Sequence, residues 1–372
     1  MVILVNGRFL IPGKLEGIGL YTFEILQRMT KQNPDVQFIV CIDRPSARQF
    51  EFGENVQYEL ISPPARHPLL FVLWFQFGIA RAYRKYRADL FFSPDGFCSL
   101  RSPVKRTLLV VHDLAYLHYP DQIGLLMRWY YRFFIPLFLR KADHIITVSQ
   151  ATYQDIIHHF PAVKAKSSVI YNGVRVPEIQ PDYPSNPENH LVPDQPYFMT
   201  LGSIHPRKNL ISVLDAFRIF KDSDAAQTNL VIVGRMAWKT GEIQNRYETH
   251  PYKKNIIFTG YLPDHEMMGI LKKSKALIYI SLFEGFGLPI IEAMAAGVPV
   301  LTSNISSMPE IAGDAALLVD PTATKKIAEN LQDLIFDESL RLQLIKKGQQ
   351  RAKLFSWDEA SRQIWKLIDS LS

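Results

Sequence analysis

Apolar residues in this chain fall into two kinds of pattern. Short uninterrupted runs alternate with longer stretches in which apolar positions recur every three or four residues. The runs read as strands buried on both faces, and the periodic stretches as helices. In the first half the runs lie at 2–5, 37–42, 90–94, 106–111, 142–149 and 169–173, with helical patterns at about 20–29, 124–140 and 150–158. In the second half they lie at 196–201, 229–233, 255–259, 276–280, 298–301 and 316–319. Helical patterns there fall at about 210–220, 264–273, 324–335, 338–353 and 357–370. Glycine-containing turns follow the strands. This alternation predicts an α/β protein of two doubly wound, Rossmann-like parallel sheets facing each other across a cleft.

Between the two series lies a stretch, 176–196, with Pro177, Pro181, Pro184, Pro187, Pro193 and Pro196 among polar residues. It reads as a linker. The expected divisions are 1–175, the linker 176–196, a second domain 197–353 and a C-terminal helix 354–372. A length of 372 residues suits two domains. The two cysteines, Cys41 and Cys98, stand among apolar neighbours, which suits buried free thiols and a reducing, cytoplasmic compartment. The first residues lack a basic flank and a cleavage site, so they read as a strand rather than a signal peptide.

Charge is placed unevenly. Residues 1–175 hold 21 Lys/Arg against 13 Asp/Glu, and 176–372 hold 21 against 23. The first half is thus the candidate for an anionic partner. Within it, 68–80 carries no charge but holds Phe71, Trp74, Phe75 and Phe77, followed at once by Arg81, Arg84, Lys85 and Arg87. Two readings stand: a core helix with a solvated basic end, or a segment resting on anionic lipid, peripherally on the inner membrane face. The run is too short to span a bilayer. The 124–140 helix is packed with aromatics and carries Arg128, Arg132 and Arg140, so it is not transmembrane, and Pro136 is expected to kink it. No groove-reading or base-stacking motif points to nucleic acid.

Candidate chemistry centres on 281–297. A buried strand runs through Glu284-Gly285-Phe286-Gly287-Leu288-Pro289 into a short helix stopped by Gly297. Free N–H groups and the helix dipole make such a loop an anion site. Glu284 lies in the loop and Glu292 one turn into the helix. Glu292 could accept from two adjacent hydroxyls, as on a ribose, or complement the helix dipole. Arg207 and Lys208, in a loop after a strand, suit a diphosphate; an exposed helix-entry pair is the plainer reading. Gly17 and Gly19 stand at a strand-to-helix entry, as a second phosphate loop or a tight turn. His112 ends a strand, where it points to a ligand crevice or caps the next turn. Asp222-Ser223-Asp224 is a D-x-D at a polar helix end with no strand before it, read as a solvated terminus; no metal is expected.

The segment from Phe283 to Gly297 resembles the E-x7-E signature of family 4 retaining glycosyltransferases of group 1 type, which have the GT-B fold. Further motifs stand in family order: Gly17-Ile18-Gly19, Val111-His112-Asp113, Tyr171-Asn172-Gly173-Val174, Arg207-Lys208-Asn209-Leu210, Gly260-Tyr261 and Met308 to Gly313. The resemblance covers nearly the whole chain. It implies that Glu292 holds the ribose of a nucleotide-sugar and that Arg207 and Lys208 neutralise the diphosphate leaving group. The backbone around Phe286, Gly287 and Leu288 would touch sugar and phosphate. Glu284 would orient sugar hydroxyls, without a covalent role. His112 would lie against the donor sugar near its C6 hydroxyl. Gly17 and Gly19 would admit backbone to the phosphates, Ser203 would join the donor contacts, and Gly234, Arg235, Tyr261 and Leu262 would line the base pocket. The last helix, with Trp357 and Trp365, would cross back to the first domain.

The implied reaction is retaining, metal-independent transfer of a mannose- or glucose-type hexose from a nucleotide-diphosphate sugar, with no cofactor. The acceptor is a saccharide, lipid-linked, in surface polysaccharide synthesis. The alternatives are a non-catalytic nucleotide-sugar or membrane-surface binding module on the same fold, and a GT-B epimerase.

Overall fold

A computed structural model describes residues 1–65, 67–102, 106–175, 194–223, 227–235 and 241–371. The chain divides into two compact units. Unit 1 comprises Met1–Gly173 with Ser356–Ser372, and unit 2 comprises Val174–Phe355. Most of the proline-rich stretch, 176–193, lies outside the described residues.

Unit 1 is built on a sheet of β1 (Val2–Asn6), β2 (Gln37–Ile42), β3 (Val56–Leu60), β4 (Leu90–Ser93), β5 (Thr107–Val111), β6 (His144–Thr147) and β7 (Ser167–Val169). Its spatial order is β3-β2-β1-β4-β5-β6-β7, and every pairing is parallel. Ile3 of β1 sits between Phe38 and Leu90. Helices sandwich the central strands, so both faces are apolar and the runs read continuously rather than alternately.

Unit 2 repeats the plan with β8 (Tyr197–Leu201), β9 (Asn229–Val233), β10 (Ile256–Gly260), β11 (Ala276–Tyr279), β12 (Val300–Ser303) and β13 (Leu317–Val319). The order is β10-β9-β8-β11-β12-β13, again all parallel. In both sheets the winding reverses beside the first strand, between β1 and β4 and between β8 and β11. Loops leaving those strands diverge to opposite faces and open a crevice at the carboxyl ends.

Two strands differ from the sequence pattern. Strand β3 is absent from it because Val56–Leu60 is a half-exposed edge strand that alternates with polar residues. Strand β7 lies at Ser167–Val169, just before the apolar run expected to form it, again at an edge. The helix Leu125–Lys141 contains Pro136 as one element. Ser149 caps the Gln150–His159 helix as expected, its Oγ accepting from Thr152 N–H at 3.0 Å.

The uncharged segment forms a helix, Pro68–Leu73, that passes through a π-turn at Trp74–Ile79 into Ala80–Tyr86. The core reading holds for its inner face, while its outer face is exposed. Trp74 and Phe75 are wholly buried in the core of unit 1, whereas Leu69 and Phe77 are 65% and 51% exposed.

The C-terminal helix Trp357–Leu371 packs on the Ile18–Gln32 helix of unit 1. Arg28 Nε donates to Asp358 Oδ1 at 2.7 Å, and the Trp357 ring meets Tyr21 edge-on at 5.7 Å. Gly173 lies flat against Trp357, where a Cβ would stand 2.1 Å from its backbone nitrogen. Trp357 therefore anchors the helix. Trp357→Ala is expected to lower unfolding free energy by about 3 kcal/mol, measured by urea denaturation; a change within experimental error would refute the anchor.

Candidate functional site

The unit 2 crevice is assembled from loops after β8, β9, β10 and β11. The first runs from Gly202 to Asn209 and ends in a short turn, Pro206–Lys208, capped by His205 Nδ1, which accepts from Arg207 N–H at 3.3 Å. Lys208 Nζ reaches across to the loop after β11 and donates to Glu284 Oε1 at 2.6 Å and to the Tyr279 hydroxyl at 2.8 Å. Both members of the pair are largely buried. Burial alone would lower the lysine pKa, but the Glu284 charge and hydroxyl contact hold it well above its usual value. Burial alone would raise that of Glu284, yet Lys208 and Arg207 keep its carboxyl below its usual range. Burial and the Glu284 charge push the Tyr279 phenol up to about 12. Both partners of the ion pair thus stay charged at neutral pH.

The loop after β11 is pinned at several points. Leu282 N–H donates to Arg207 O at 2.8 Å. Ser306 Oγ donates to Glu284 O at 2.7 Å, and Ser307 Oγ to Phe286 O at 2.9 Å. The loop ends at Gly287, whose φ of 101° and ψ of 50° suit only glycine, and the helix Leu288–Ala295 begins there. Pro289 occupies the first turn, as its position in the sequence anticipates. The helix is followed by Gly297, at φ 74°.

Glu292 lies on this helix, and its carboxylate has no hydrogen-bond or ion-pair partner among the described residues. Burial, reinforced by Asp264 and opposed by Arg175, pushes its pKa up to about 7.

The loops after β8, β9 and β10 are laced together. Gly234 N–H donates to Gly260 O at 2.9 Å, and Ile204 N–H to Arg235 O at 2.8 Å. A Cβ on Gly234 would stand 1.9 Å from Gly202 O, so only glycine allows this approach. Arg235 stacks over the ring of Tyr261 at 5.3 Å, next to Leu262. Ser203 is exposed at the mouth of its loop.

Thus Ser203, Arg207, Lys208, Gly234, Arg235, Tyr261, Leu262, Glu284, Phe286, Gly287, Leu288 and Glu292 all belong to the carboxyl-end loops of unit 2 or the helix leaving them. Gly17, Gly19 and His112 belong to unit 1. Gly17 precedes the Ile18–Gln32 helix, with open space where a side chain would stand, whereas a Cβ on Gly19 would meet Phe9 O at 2.6 Å. Gly19 therefore has a packing reason. His112 Nε2 lies 2.8 Å from Pro94 O. A carbonyl only accepts, so Nε2 carries the proton and Nδ1 keeps its lone pair. Burial lowers the His112 pKa, outweighing that bond and the charges of Asp113 and Asp95, so the ring is neutral at pH 7.

The sequence did not single out His205, Tyr279, Ser306 or Ser307. Their roles depend on contacts between separate loops, and no spacing announces them. Asp222 ends the Leu210–Lys221 helix and accepts from the Tyr252 hydroxyl at 2.8 Å, while Asp224 lies outside the described residues. One cluster of metal-capable groups occurs among the described residues, His118, Asp155 and His159; it shares nothing with Glu284 or Glu292.

Comparison with known proteins follows the same division. A family model described as glycosyl transferases group 1 matches residues 183–351, and one described as glycosyltransferase family 4 matches 15–177. The O-antigen chain mannosyltransferase B of Escherichia coli is 26% identical over 363 residues, 94% of each chain. The N-acetylgalactosamine-N,N'-diacetylbacillosaminyl-diphospho-undecaprenol 4-alpha-N-acetylgalactosaminyltransferase of Campylobacter jejuni is 23% identical over 350 residues, covering 90% of this chain and 91% of that one. Among solved structures, Anabaena HepE in complex with UDP and glucose superposes with a TM-score of 0.76 at 18% identity over 100% of both chains.

The unpartnered Glu292 makes stability depend on pH. Its carboxyl ionises near 4.5 when unperturbed and near 7 in the fold. Between those values the folded state holds a proton that the unfolded chain has lost, so stability falls as pH rises through the window and stays reduced above it. The full shift corresponds to on the order of 3 kcal/mol, trimmed by partial solvent access. Glu292→Gln is expected to stabilise the free protein by about 1–3 kcal/mol at pH 8 and negligibly at pH 4. Urea denaturation at both pH values checks this; equal effects at both would refute it.

Proposed function

The chain belongs to glycosyltransferase family 4, and we propose that it transfers a mannose-type hexose from a nucleotide-diphosphate sugar to a saccharide acceptor. The transfer retains anomeric configuration, needs no metal or cofactor, and serves surface polysaccharide synthesis. The observation that carries this reading is the unit 2 crevice: Arg207 and the charged Lys208–Glu284 pair beside a glycine loop, a helix N-terminus and the unpartnered Glu292.

Each part meets a part of a nucleotide-sugar. Arg207, Lys208 and the N–H groups from Gly287 onward stabilise the negative charge that develops as the diphosphate departs. Glu292 accepts from the two ribose hydroxyls, which supplies the partners it lacks. Arg235 and Tyr261 offer a stacked wall to the base. Glu284 has one oxygen on Lys208 and orients hydroxyls of the sugar with the other. It is already engaged as a partner of Lys208, which makes it a poor covalent nucleophile. In unit 1, the neutral His112 offers Nδ1 as an acceptor to a hydroxyl. The Escherichia coli relative points to mannose, and the Campylobacter jejuni relative, named for an undecaprenol diphosphate acceptor, supports a lipid-linked one.

Unit 1 supplies the surface for such an acceptor. Pro68–Leu73 packs on Leu125–Lys141. Along the outer faces Leu69, Leu73 and Phe77 of the first segment, and Leu125, Trp129 and Phe133 of the second, are exposed. The stretches 68–86 and 125–141 hold Arg81, Arg84, Lys85, Arg128, Arg132, Arg140 and Lys141, and no Asp or Glu. Lys85 and Arg128 pair with Glu59 and Asp121 from neighbouring segments, and an apolar face bordered by this excess of cations suits an anionic lipid surface. Among the described residues no helix is long and apolar enough to cross a membrane.

Two measurements test these proposals. Thermal shift and hydrolysis assays with UDP-, GDP- and ADP-sugars are expected to single out one donor. Arg207→Ala should slow its turnover about 100-fold or more; unaltered turnover would place the diphosphate elsewhere. Sedimentation with phosphatidylglycerol vesicles at low salt should capture the protein, and Trp129→Ala with Phe133→Ala should release it. Equal recovery with zwitterionic vesicles would reject the anionic surface.

A further inference from the structure

The cluster of His118, Asp155 and His159 in unit 1 has a shape that hydrogen bonding alone explains poorly. His118 closes the short helix Ala115–His118, and Asp155 and His159 stand one turn apart on the helix Gln150–His159. His118 Nε2 lies 2.9 Å from Asp155 Oδ1 and 2.8 Å from Oδ2. His159 Nε2 approaches the same Oδ1 at 3.4 Å. One nitrogen or oxygen from each of the three falls within 4.8 Å of the others.

A neutral imidazole carries one N–H and donates along one line. His118 Nε2 sits nearly equidistant from both carboxylate oxygens, so neither claims it. The His159 contact is longer than the roughly 2.7–3.2 Å of a good N–H···O bond. Two imidazoles thus crowd one carboxylate with the same ring nitrogen. A divalent ion resolves the crowding, because it takes one lone pair from each group. Around zinc, with bonds of about 2.0–2.1 Å, tetrahedral ligand atoms stand about 3.3 Å apart. The present separations are close to that.

The scaffold holds the three groups ready. Asp155 and His159 are four residues apart on one helical face, a spacing at which two side chains can share an ion. His118 comes from a second element that is itself tied down. Ala115 N–H donates to Asp113 Oδ1 at 2.9 Å, and Thr152 Oγ1 donates to His112 O at 3.2 Å. An ion can reach the cluster with its waters, since the His118 and His159 side chains are 36% and 33% exposed. Two imidazoles and one carboxylate favour zinc and its transition-metal neighbours over magnesium or calcium, which prefer oxygen ligands throughout.

We propose that His118, Asp155 and His159 bind one zinc-class divalent cation. The ion clamps the Ala115–His118 turn to the Gln150–His159 helix. It thereby braces the loop carrying His112, which the same helix already holds through Thr152. The site shares no residue with the unit 2 crevice and takes no part in the transfer proposed above, so it stands or falls apart from that reading.

The test titrates the untagged, chelator-stripped full chain with ZnCl2 by calorimetry near neutral pH, with no donor or acceptor present. One ion per chain is expected, and MgCl2 should give no binding heat. His118→Ala and His159→Gln should each weaken zinc binding about tenfold or more, since loss of even an indirect ligand partner costs that much. His158→Ala, which removes the neighbouring exposed imidazole of the same helix, should leave the affinity unchanged. Saturating zinc should raise the wild-type Tm by about 3 °C or more and leave that of His118→Ala where it was. Absence of saturable zinc binding would overturn the site, as would magnesium binding of equal strength. A loss in His158→Ala equal to that in His118→Ala would do the same, because it marks adventitious chelation at the helix end. Zinc binding without a rise in Tm would overturn the clamp.

Discussion

The ion pair between Lys208 and Glu284 is the constraint around which unit 2 is arranged. Its members come from the loops after β8 and β11, on either side of the point where the sheet reverses its winding. Each charge would be costly to bury without the other. Together they tie two loops that the sheet itself directs apart. Arg207 inherits its position from this contact, because its neighbour is fixed and its carbonyl accepts from Leu282. The glycine loop inherits its shape from the same contact and from Ser306 and Ser307 on its far side. An anion arriving there meets donors that need little rearrangement, which is the condition for electrostatic stabilisation of a leaving group.

Much of this was legible in the chain before any coordinates. Both sheets are parallel and covered by helices, so their central strands are continuous apolar runs, and those runs were read at or within a few residues of where they form. Strands β3 and β7 escaped because edge strands are short and partly polar. Glu284 and Glu292 around a glycine loop marked the crevice in the residues themselves, and the family resemblance added Arg207, Lys208 and Gly234. His205, Tyr279, Ser306 and Ser307 carried no such mark. Each is an ordinary polar residue whose meaning comes from a partner in a different loop. Gly19 was the converse case, a glycine in a suggestive place that the fold uses to let a helix approach the Phe9 carbonyl.

The two helical segments 68–86 and 125–141 show one element serving two environments. Their inner faces contribute Phe71 and Tyr130 to the aromatic cluster beside Arg8, and their outer faces leave Leu69, Trp129 and Phe133 exposed. The sequence pattern could not say which of these apolar residues enter the core and which stay exposed, because both kinds stand in one uncharged run. Only the direction of each side chain divides them.

The placement of Trp357 bears on how the protein is made. The helix it anchors belongs to unit 1, yet it is translated after all of unit 2. As the nascent chain lengthens, the first sheet can form while its Tyr21 and Gly173 surfaces still lack their covering. Unit 2 has its whole sequence available earlier than unit 1 does. The half whose synthesis begins first is therefore the half completed last, and until then it presents an uncovered apolar seat to the cell's chaperones.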